Sequence, residues 1–387
     1  MSSSQQYGIL LVTGMKTHQE NYANFFVEDP RCKIIAVTDE ANIPQKRLNW
    51  NKQLAEELNV PYIIDLNEAL KLDEVDIVSV CSEHERRGRV TIKCAEAGKH
   101  VYIDKPMTCR LIDAHQVVEA VENHGVYSQV FSFIHYPWVR QAKSVVESGE
   151  IGDLLSIHFD VMFAKGYPGT APLDSPRKET PYPQRFTFTE CKRELHTTGV
   201  YAIGAIRWIA DSEISQVFCI TSNYFFAEHA RNDVEDFAVM ALNLKSGVTA
   251  TIGCGRIGYT SHPAGGPNKI TLIGSKASVL VDSQKPRITV CSNEPPWTPP
   301  PVDPEDPMCF WQSTQNQAGS RPKNNWVPIK PVNDNVKNDA SWFIDYIESG
   351  KPSDMTAKDG AATVEVLMAG YLSAAKSKII SLPLPRH

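Results

Sequence analysis

A lysine beside a carboxylate and a proline is the group of residues in this chain best suited to chemistry. Asp104-Lys105-Pro106 follows the short apolar segment Tyr102-Ile103, which comes after a glycine turn. A lysine at the carboxyl end of a strand in an open α/β sheet points into the crevice where such sheets bind ligands. Proline fixes its own φ and restricts the residue before it. The pattern predicts that Lys105 presents a charged group to a substrate.

Alternating strands and helices in the first third of the chain are predicted to position this lysine. Short continuous apolar runs are typical of strands buried in a parallel sheet. Helical segments are predicted between the runs, and this alternation indicates an α/β fold with a doubly wound parallel sheet, a Rossmann domain. The predicted strands lie near residues 8–13, 33–39, 62–64, 75–81, 102–103 and 127–131.

The turn after the first predicted strand could hold a phosphate. The dinucleotide fingerprint G-x-G-x-x-G falls on Val12, Gly14 and Thr17, so only its middle glycine is present. That glycine lets the backbone approach a pyrophosphate, and N–H groups at a helix N-terminus need no particular side chain. Thr13, Thr17 and His18 could add donors. The turn predicts a phosphate site, with loss of nucleotide binding as the alternative.

Asp39 ends the second predicted strand, about 20 residues beyond that turn, where an acid accepts hydrogen bonds from an adenosine ribose. A carboxylate there also repels a 2′-phosphate, and no arginine follows in the next few positions. We therefore expect NAD as the cofactor, with NADP less favoured. The competing interpretation is that Asp39 only caps the strand end.

Length, charge and cysteine usage restrict the remaining function classes. The chain has 387 residues, which predicts two or three domains, and its net charge of −6 argues against a nucleic-acid surface. No apolar run approaches the roughly 20 residues that span a bilayer, and residues 1–6 lack the features of a signal peptide. Nine cysteines without a C-x-x-C pair indicate reduced thiols in a cytoplasmic protein and no metal site.

Three motifs together resemble those of the Gfo/Idh/MocA oxidoreductase family. Residues 96–106, Glu-Ala-Gly-Lys-His-Val-Tyr-Ile-Asp-Lys-Pro, are similar to the family signature A-G-K-H-V…E-K-P, with Asp104 in place of the usual glutamate. Residues 146–152 resemble the entry to the family's second domain, and segments within 343–383 resemble its closing region. The motifs are specific in combination, and the resemblance extends over nearly the whole chain.

The resemblance implies a Rossmann domain at residues 1–130 and an α+β substrate-binding and oligomerisation domain at residues 131–387. The second domain is expected to contain a large, mostly antiparallel open sheet. Alternation of apolar and polar residues over 155–163 independently predicts a strand with one covered face. The Pro-rich stretch 295–328 is long for a loop, and we expect an insertion at a rim or interface, or a disordered excursion.

The family's catalytic motif, D-x-G-x-H-x-x-D, corresponds here to a segment in which Thr197 and Gly204 replace its acids and Tyr201 its histidine. Glucose–fructose oxidoreductase and related enzymes also place tyrosine at that position. A free phenol with a pKa of about 10 is a poor base near neutrality, so we expect the Lys105 ammonium to lower that pKa. The resemblance implies that Tyr201 takes the proton from a substrate hydroxyl while Lys105 stabilises the developing alkoxide.

Further polar residues complete the predicted sites. His196 and Glu194 precede the motif helix and could substitute for the missing histidine, although a histidine there is more often a cap. His84 stands where the family usually has asparagine, near the nicotinamide. The predicted catalytic residues are Lys105, Tyr201 and His196. The predicted cofactor-binding residues are Thr13, Gly14, Thr17, His18, Asp39, Ser82, His84, Asp104 and Lys105.

These residues predict hydride transfer between a nicotinamide cofactor and a hydroxyl or keto group of a sugar, sugar derivative or cyclitol. Two alternatives stay open: redox-assisted cleavage of a glycoside with recycled NAD, and a non-catalytic or sensory protein with a degraded cofactor site. The expected partner is this small molecule, with neither nucleic acid nor membrane. Because an open sheet face needs covering, we also expect a homo-oligomer, a dimer or tetramer.

Overall fold

The computed structural model describes residues 6–163, 169–174, 177–188, 191–257, 268–283, 288–292, 325–327 and 337–385, which form two sheets and the helices around them. The strands of the first sheet are β1 Tyr7–Val12, β2 Cys32–Thr38, β3 Tyr62–Ile63, β4 Ile77–Val80, β5 His100–Ile103 and β6 Ser128–Val130. Their spatial order is β3-β2-β1-β4-β5-β6, and every neighbouring pair is parallel. This order confirms the predicted Rossmann sheet.

The buried strand β1 shows why the first sheet is parallel. No side chain from Ile9 to Val12 is exposed, as expected for a strand that crossover helices cover on both faces. The last of those helices ends where Gly125 adopts φ +61°, a left-handed conformation that glycine reaches without a Cβ clash. The helices between the strands are Gln19–Glu28, Gln45–Glu57, Leu66–Ala69, His84–Glu96 and Leu111–His124.

The second sheet is large, open and mostly antiparallel, as expected. Its strands are β7 Leu154–Phe163, β8 Ile214–Ser222, β9 Phe237–Leu244, β10 Thr249–Arg256, β11 Asn268–Gly274, β12 Ala277–Asp282, β13 Ile288–Ser292, β14 Asn325–Val327 and β15 Ile380–Ser381. Their order is β14-β13-β12-β11-β7-β10-β9-β8-β15. Of these neighbours β7 and β10 run parallel and the others antiparallel.

One face of the second sheet carries the core and the other carries exposed apolar side chains. Along β9, Ala238 and Met240 are buried, whereas Val239 between them is 47% exposed. Its cross-strand neighbour Ile220 is 53% exposed. This alternation is that of a strand covered on one face. The homo-oligomer that would cover the outer face stays a prediction.

The helix that carries Tyr201 runs over Val200–Ala210 and packs against β7. It continues from a wider π-helical turn, Leu195–Gly199, so Thr197 belongs to that turn rather than to a regular helix. The remaining helices are the 3₁₀ turn Phe133–His135 and the α-helices Pro137–Glu147, Ala227–Arg231, Asp339–Ser349 and Ala357–Lys376. No helix in the described part of the chain has the length and apolar character needed to cross a bilayer.

The C-terminal helices return to the first sheet and join it through a buried carboxylate. Asp339 accepts hydrogen bonds from the Tyr102 hydroxyl at 2.6 Å and the Gln129 side-chain amide at 2.9 Å, and its other oxygen lies 2.6 Å from His135 Nδ1. The boundary at residues 130 and 131 stays a prediction. Apart from Asn325–Val327, the predicted insertion at 295–328 lies outside the described residues.

Candidate active site

A cleft of about 950 Å³ opens where strands β1, β4 and β5 end. Lining residues from Phe163 to Arg256 form its other wall. The structure brings seven of the predicted site residues to this cleft and leaves Thr13, Gly14, Asp39 and His196 outside its lining. The seven are Thr17, His18, Ser82, His84, Asp104, Lys105 and Tyr201.

Asp104 at the end of β5 is a buried anchor. Its carboxylate accepts a hydrogen bond from the Tyr22 hydroxyl at 2.6 Å, pairs with Arg87 at 2.8 Å and lies 2.9 Å from His18 Nδ1. Burial raises its pKa, but Arg87 and His18 outweigh burial and hold the pKa well below its usual range. Asp104 therefore stays ionised and fixes the residues around Lys105.

Lys105 is buried in the cleft and reaches across to the π-helical turn. Its Nζ donates a hydrogen bond of 2.6 Å to the Thr197 carbonyl oxygen and lies 4.2 Å from the centre of the Tyr201 ring. Burial lowers its pKa to about 7, and the nearby Asp104 carboxylate opposes that effect. Lys105 can therefore both accept and donate a proton near neutrality.

The environment and pKa of the Tyr201 phenol differ from those we predicted. Its ring stacks on Phe133 with centroids 3.8 Å apart and an interplanar angle of 11°. Burial, with a further contribution from Asp104, raises its pKa well above the usual value. The Lys105 ammonium lies over the ring face, so it does not stabilise phenolate oxygen as we expected. The predicted lowering of the Tyr201 pKa is wrong, and the phenol is neutral near neutrality.

His196 is buried behind the cleft wall. Its Nε2 lies 3.2 Å from the Thr108 carbonyl oxygen, and its ring packs 4.3 Å from that of Phe186. Burial lowers its pKa well below the usual value, so the imidazole is neutral. A hydrogen bond to a carbonyl makes Nε2 the protonated nitrogen. Its catalytic role stays a prediction, which this position does not favour.

Ser82 and His84, after strand β4, offer unused polar atoms to the cleft. Ser82 Oγ and His84 Nδ1 are buried, and among the residues that the structure describes neither has a hydrogen-bond partner. Burial lowers the pKa of His84 well below its usual value, so its imidazole is neutral. Buried polar atoms without partners are costly, so these two fit a polar ligand in the cleft. Their place at the nicotinamide of a bound cofactor stays a prediction.

The turn after β1, which contains Gly14, differs from the predicted phosphate-binding turn. A Cβ on Gly14 would lie 2.5 Å from Asn51 Cα and 2.7 Å from the Trp50 carbonyl oxygen. The Met15 N–H donates to that same carbonyl at 3.2 Å, and the Lys16 N–H donates to the Glu20 carboxylate at 2.5 Å. The missing side chain of Gly14 thus lets the helix Gln45–Glu57 pack closely against the turn. We had expected it to allow the close approach of a pyrophosphate. Its role in cofactor binding stays a prediction.

Asp39 is fully buried and already has polar partners. Its carboxylate accepts a hydrogen bond of 2.8 Å from the Asn51 side chain and pairs with Arg86. Arg86 also donates a hydrogen bond of 3.4 Å to Thr13 Oγ1. Thr13, predicted to bind the cofactor, therefore already has a partner within the protein. Because Arg86 neutralises the carboxylate, the argument that Asp39 repels a 2′-phosphate is wrong. The open polar atoms of the cleft fit a polar cofactor, whereas ribose binding at Asp39 would require Arg86 or Asn51 to release an oxygen.

Sequence reasoning missed a second polar cluster on the opposite wall. Glu194 pairs with Arg256 at 2.9 Å and lies 3.5 Å from His229 Nε2, and all three line the cleft. Glu194 was considered as a substitute for the missing histidine. Its partners lie 35 and 62 positions further along the chain by number, on another helix and strand, so no local spacing could have found them.

Comparison with known proteins gives two family matches. Residues 10–132 match the model described as "Oxidoreductase family, NAD-binding Rossmann fold", and residues 139–280 match "GFO/IDH/MocA C-terminal domain". Myo-inositol 2-dehydrogenase of Thermotoga maritima is 24% identical over 79% of this chain and 79% of its own length.

Two solved structures share the fold. Aldose-aldose oxidoreductase from Caulobacter crescentus has a TM-score of 0.70 at 18% identity, covering 98% of this chain and 100% of its own. The WlbA dehydrogenase from Bordetella pertussis, solved with NADH and UDP-GlcNAcA, has a TM-score of 0.69 at 16% identity, with coverage of 98% and 100%. At these identities the likeness concerns the fold alone.

Proposed function

The chain belongs to the Gfo/Idh/MocA family of NAD-binding oxidoreductases, and from this premise we propose that it transfers hydride between NAD and a hydroxyl or keto group of a sugar, sugar derivative or cyclitol. The observation that carries the proposal is Lys105, buried in the cleft with a pKa of about 7 and directed to the ring of Tyr201. The reaction needs one proton to move with the hydride, and Lys105 is suited to exchange it.

The chain's own residues have distinct parts in this proposal. NAD supplies the hydride acceptor, or the donor in the reverse direction. Ser82 and His84 would hold the nicotinamide end, and Thr17 and His18 border the path toward the first turn. In oxidation the neutral Lys105 amine accepts the proton of the substrate hydroxyl. Tyr201, a neutral phenol, donates a hydrogen bond to the same oxygen as charge develops on it.

The substrate class rests on the relatives. Myo-inositol 2-dehydrogenase acts on a cyclitol and aldose-aldose oxidoreductase on sugars, as their names state. We propose the same class here. Titration calorimetry with NAD and then a panel of cyclitols, aldoses and sugar nucleotides, followed by reduced-nicotinamide absorbance, tests the proposal. We expect NAD to bind and at least one polyol to reduce it. Absence of NAD binding at millimolar concentration would contradict the proposal.

The pH dependence of the reaction should report Lys105. Its pKa of about 7 means that the neutral amine predominates above this pH and the ammonium below it. We expect kcat/KM for oxidation to rise as the pH increases through about 7, and kcat/KM for reduction to fall over the same interval. Steady-state rates in both directions, measured from about two pH units below that pKa to about two above it, would test this. A profile governed only by a group near pH 10 would contradict it.

A further inference from the structure

The cleft wall opposite Ser82 and His84 contains three polar residues that we call the Glu194 cluster: Glu194, His229 and Arg256. Arg256 Nε donates to Glu194 Oε1 at 2.9 Å, and His229 Nε2 lies 3.5 Å from the same oxygen. Glu194 and His229 are 0% and 3% exposed, and all three residues line the cleft. The cluster is a built feature of the cleft wall rather than a set of surface charges.

The cluster has unfilled hydrogen-bonding positions. Glu194 Oε2 and both ring nitrogens of His229 are buried, and none of them has a hydrogen-bond partner within the described part of the chain. The 3.5 Å between His229 Nε2 and Glu194 Oε1 is the separation of an ion pair and leaves the nitrogen open to a ligand. Glu235, an equally buried glutamate nearby, differs: its oxygens accept from Leu195 N–H at 3.1 Å, the Tyr371 hydroxyl at 2.7 Å and Arg193 at 3.0 Å. Because buried carboxylate oxygens are normally satisfied in this way, the open positions on Glu194 and His229 indicate a ligand.

The chemistry of the open positions defines the ligand class. Burial raises the pKa of Glu194, but His229 and Arg256 outweigh burial and keep it below its usual value. The carboxylate is therefore an acceptor only, whereas an imidazole offers a donor or an acceptor at each nitrogen. A hydroxyl group can satisfy either. An anionic ligand would be repelled by Glu194 Oε2, and a cationic one by the neighbouring Arg256. A neutral hydroxyl group is therefore the complement, and the polyol substrates proposed above carry several on one ring.

The cluster is joined to the catalytic end of the cleft by one turn of chain. The Thr197 carbonyl that holds Lys105 Nζ lies three residues after Glu194, within the π-helical turn. The Thr198 hydroxyl donates to the Glu194 carbonyl oxygen at 2.5 Å and fixes that residue in place. A single ring could therefore present one hydroxyl to Lys105 and others to the cluster.

We propose that the Glu194 cluster is a subsite that binds the non-reacting hydroxyl groups of a neutral polyol ring, with Glu194 Oε2 and His229 as the contacts and Arg256 as the residue that positions Glu194. The inference rests on the proposed function and deepens it, because it assigns the recognition of the substrate to residues separate from Lys105. It predicts that Glu194 determines affinity for substrate and not the rate of the chemical step.

The test uses Glu194→Gln, which removes the charge and keeps the shape. Calorimetry with NAD present would measure binding of myo-inositol, D-glucose and D-xylose, and steady-state kinetics would follow for any that turn over. We expect the variant to weaken polyol binding and raise KM about 10-fold to 100-fold, as for loss of a charge-assisted hydrogen bond, with kcat and NAD affinity unchanged. Glu228→Gln, at a half-exposed glutamate of the same cleft, should leave polyol affinity unchanged.

Deoxy analogues of the bound polyol separate direct contact from a structural effect. Removing the hydroxyl that meets Glu194 should weaken binding to the wild type but not to Glu194→Gln, and His229→Asn should weaken binding even if Glu194→Gln does not fold. Unchanged polyol affinity in both variants, or no polyol binding to the wild type, would overturn the subsite. Binding that depends on Glu194 without any NAD reduction would leave the subsite standing and contradict the proposed function instead.

Discussion

Replacing Lys105 with methionine is expected to lower kcat about 10³-fold, within the 10²–10⁴-fold range of general acid–base groups, with NAD still able to bind. Methionine has nearly the length of the buried lysine side chain but cannot exchange a proton. Stopped-flow or steady-state rates with the best polyol substrate, beside NAD titration, would measure the effect. Because methionine keeps the length of this buried side chain, the variant should remain folded.

Lys99→Met is the matched control for Lys105→Met. Lys99 lies just before strand β5, at the opposite end from Lys105, and its ammonium also donates to backbone carbonyls, those of Leu72 at 3.2 Å and Val75 at 2.9 Å. We expect its kcat to match the wild type within error. If Lys105→Met retained most of the wild-type kcat, another group would have to exchange the proton.

Asp339→Ala is expected to lower the free energy of unfolding by about 3–5 kcal/mol, the range for removing one partner of a buried charged network. The change would leave the Tyr102 hydroxyl, the Gln129 amide and His135 without their shared acceptor. Because these partners lie on β5, β6 and the turn after β6, the C-terminal helices would lose their anchor to the first sheet. Denaturant unfolding followed by circular dichroism would measure the loss.

Asp345→Ala, on the same helix, controls for the loss of an acid. Asp345 is partly exposed and pairs with Arg31 at 2.9 Å, and exposed pairs contribute about 0–1 kcal/mol. A loss for Asp339→Ala no larger than that of Asp345→Ala would show that the buried carboxylate does not anchor the C-terminal helices.

The first sheet could be predicted from the sequence because its signal is local. The run from Ile9 to Val12 is short and apolar at every position, as is typical of a strand covered on both faces. The position of Lys105 in the cleft could also be predicted from local sequence. The carboxyl end of a parallel strand fixes where the side chains that follow it lie. Tyr201 was placed beside Lys105 through the family resemblance, and the structure puts the two in contact.

The electrostatics of the site could not be predicted, because they depend on burial and on residues distant in sequence. Residue types alone suggested that Lys105 lowers the pKa of Tyr201. Burial instead raises the pKa of the phenol and lowers that of the amine. Arg86, 47 positions beyond Asp39, neutralises that carboxylate, and no sequence window joins the two. Gly14 likewise serves a helix that the turn motif does not include.

The central claim is that Lys105, and not Tyr201, exchanges the proton. The most direct test is the pH dependence of kcat/KM for oxidation in Tyr201→Phe beside the wild type. The claim predicts a lower rate for the variant, because a hydrogen bond to the developing alkoxide is lost, with the same rise through pH of about 7 that Lys105 gives the wild type. Disappearance of that rise in Tyr201→Phe would make the phenol the base and would contradict the claim.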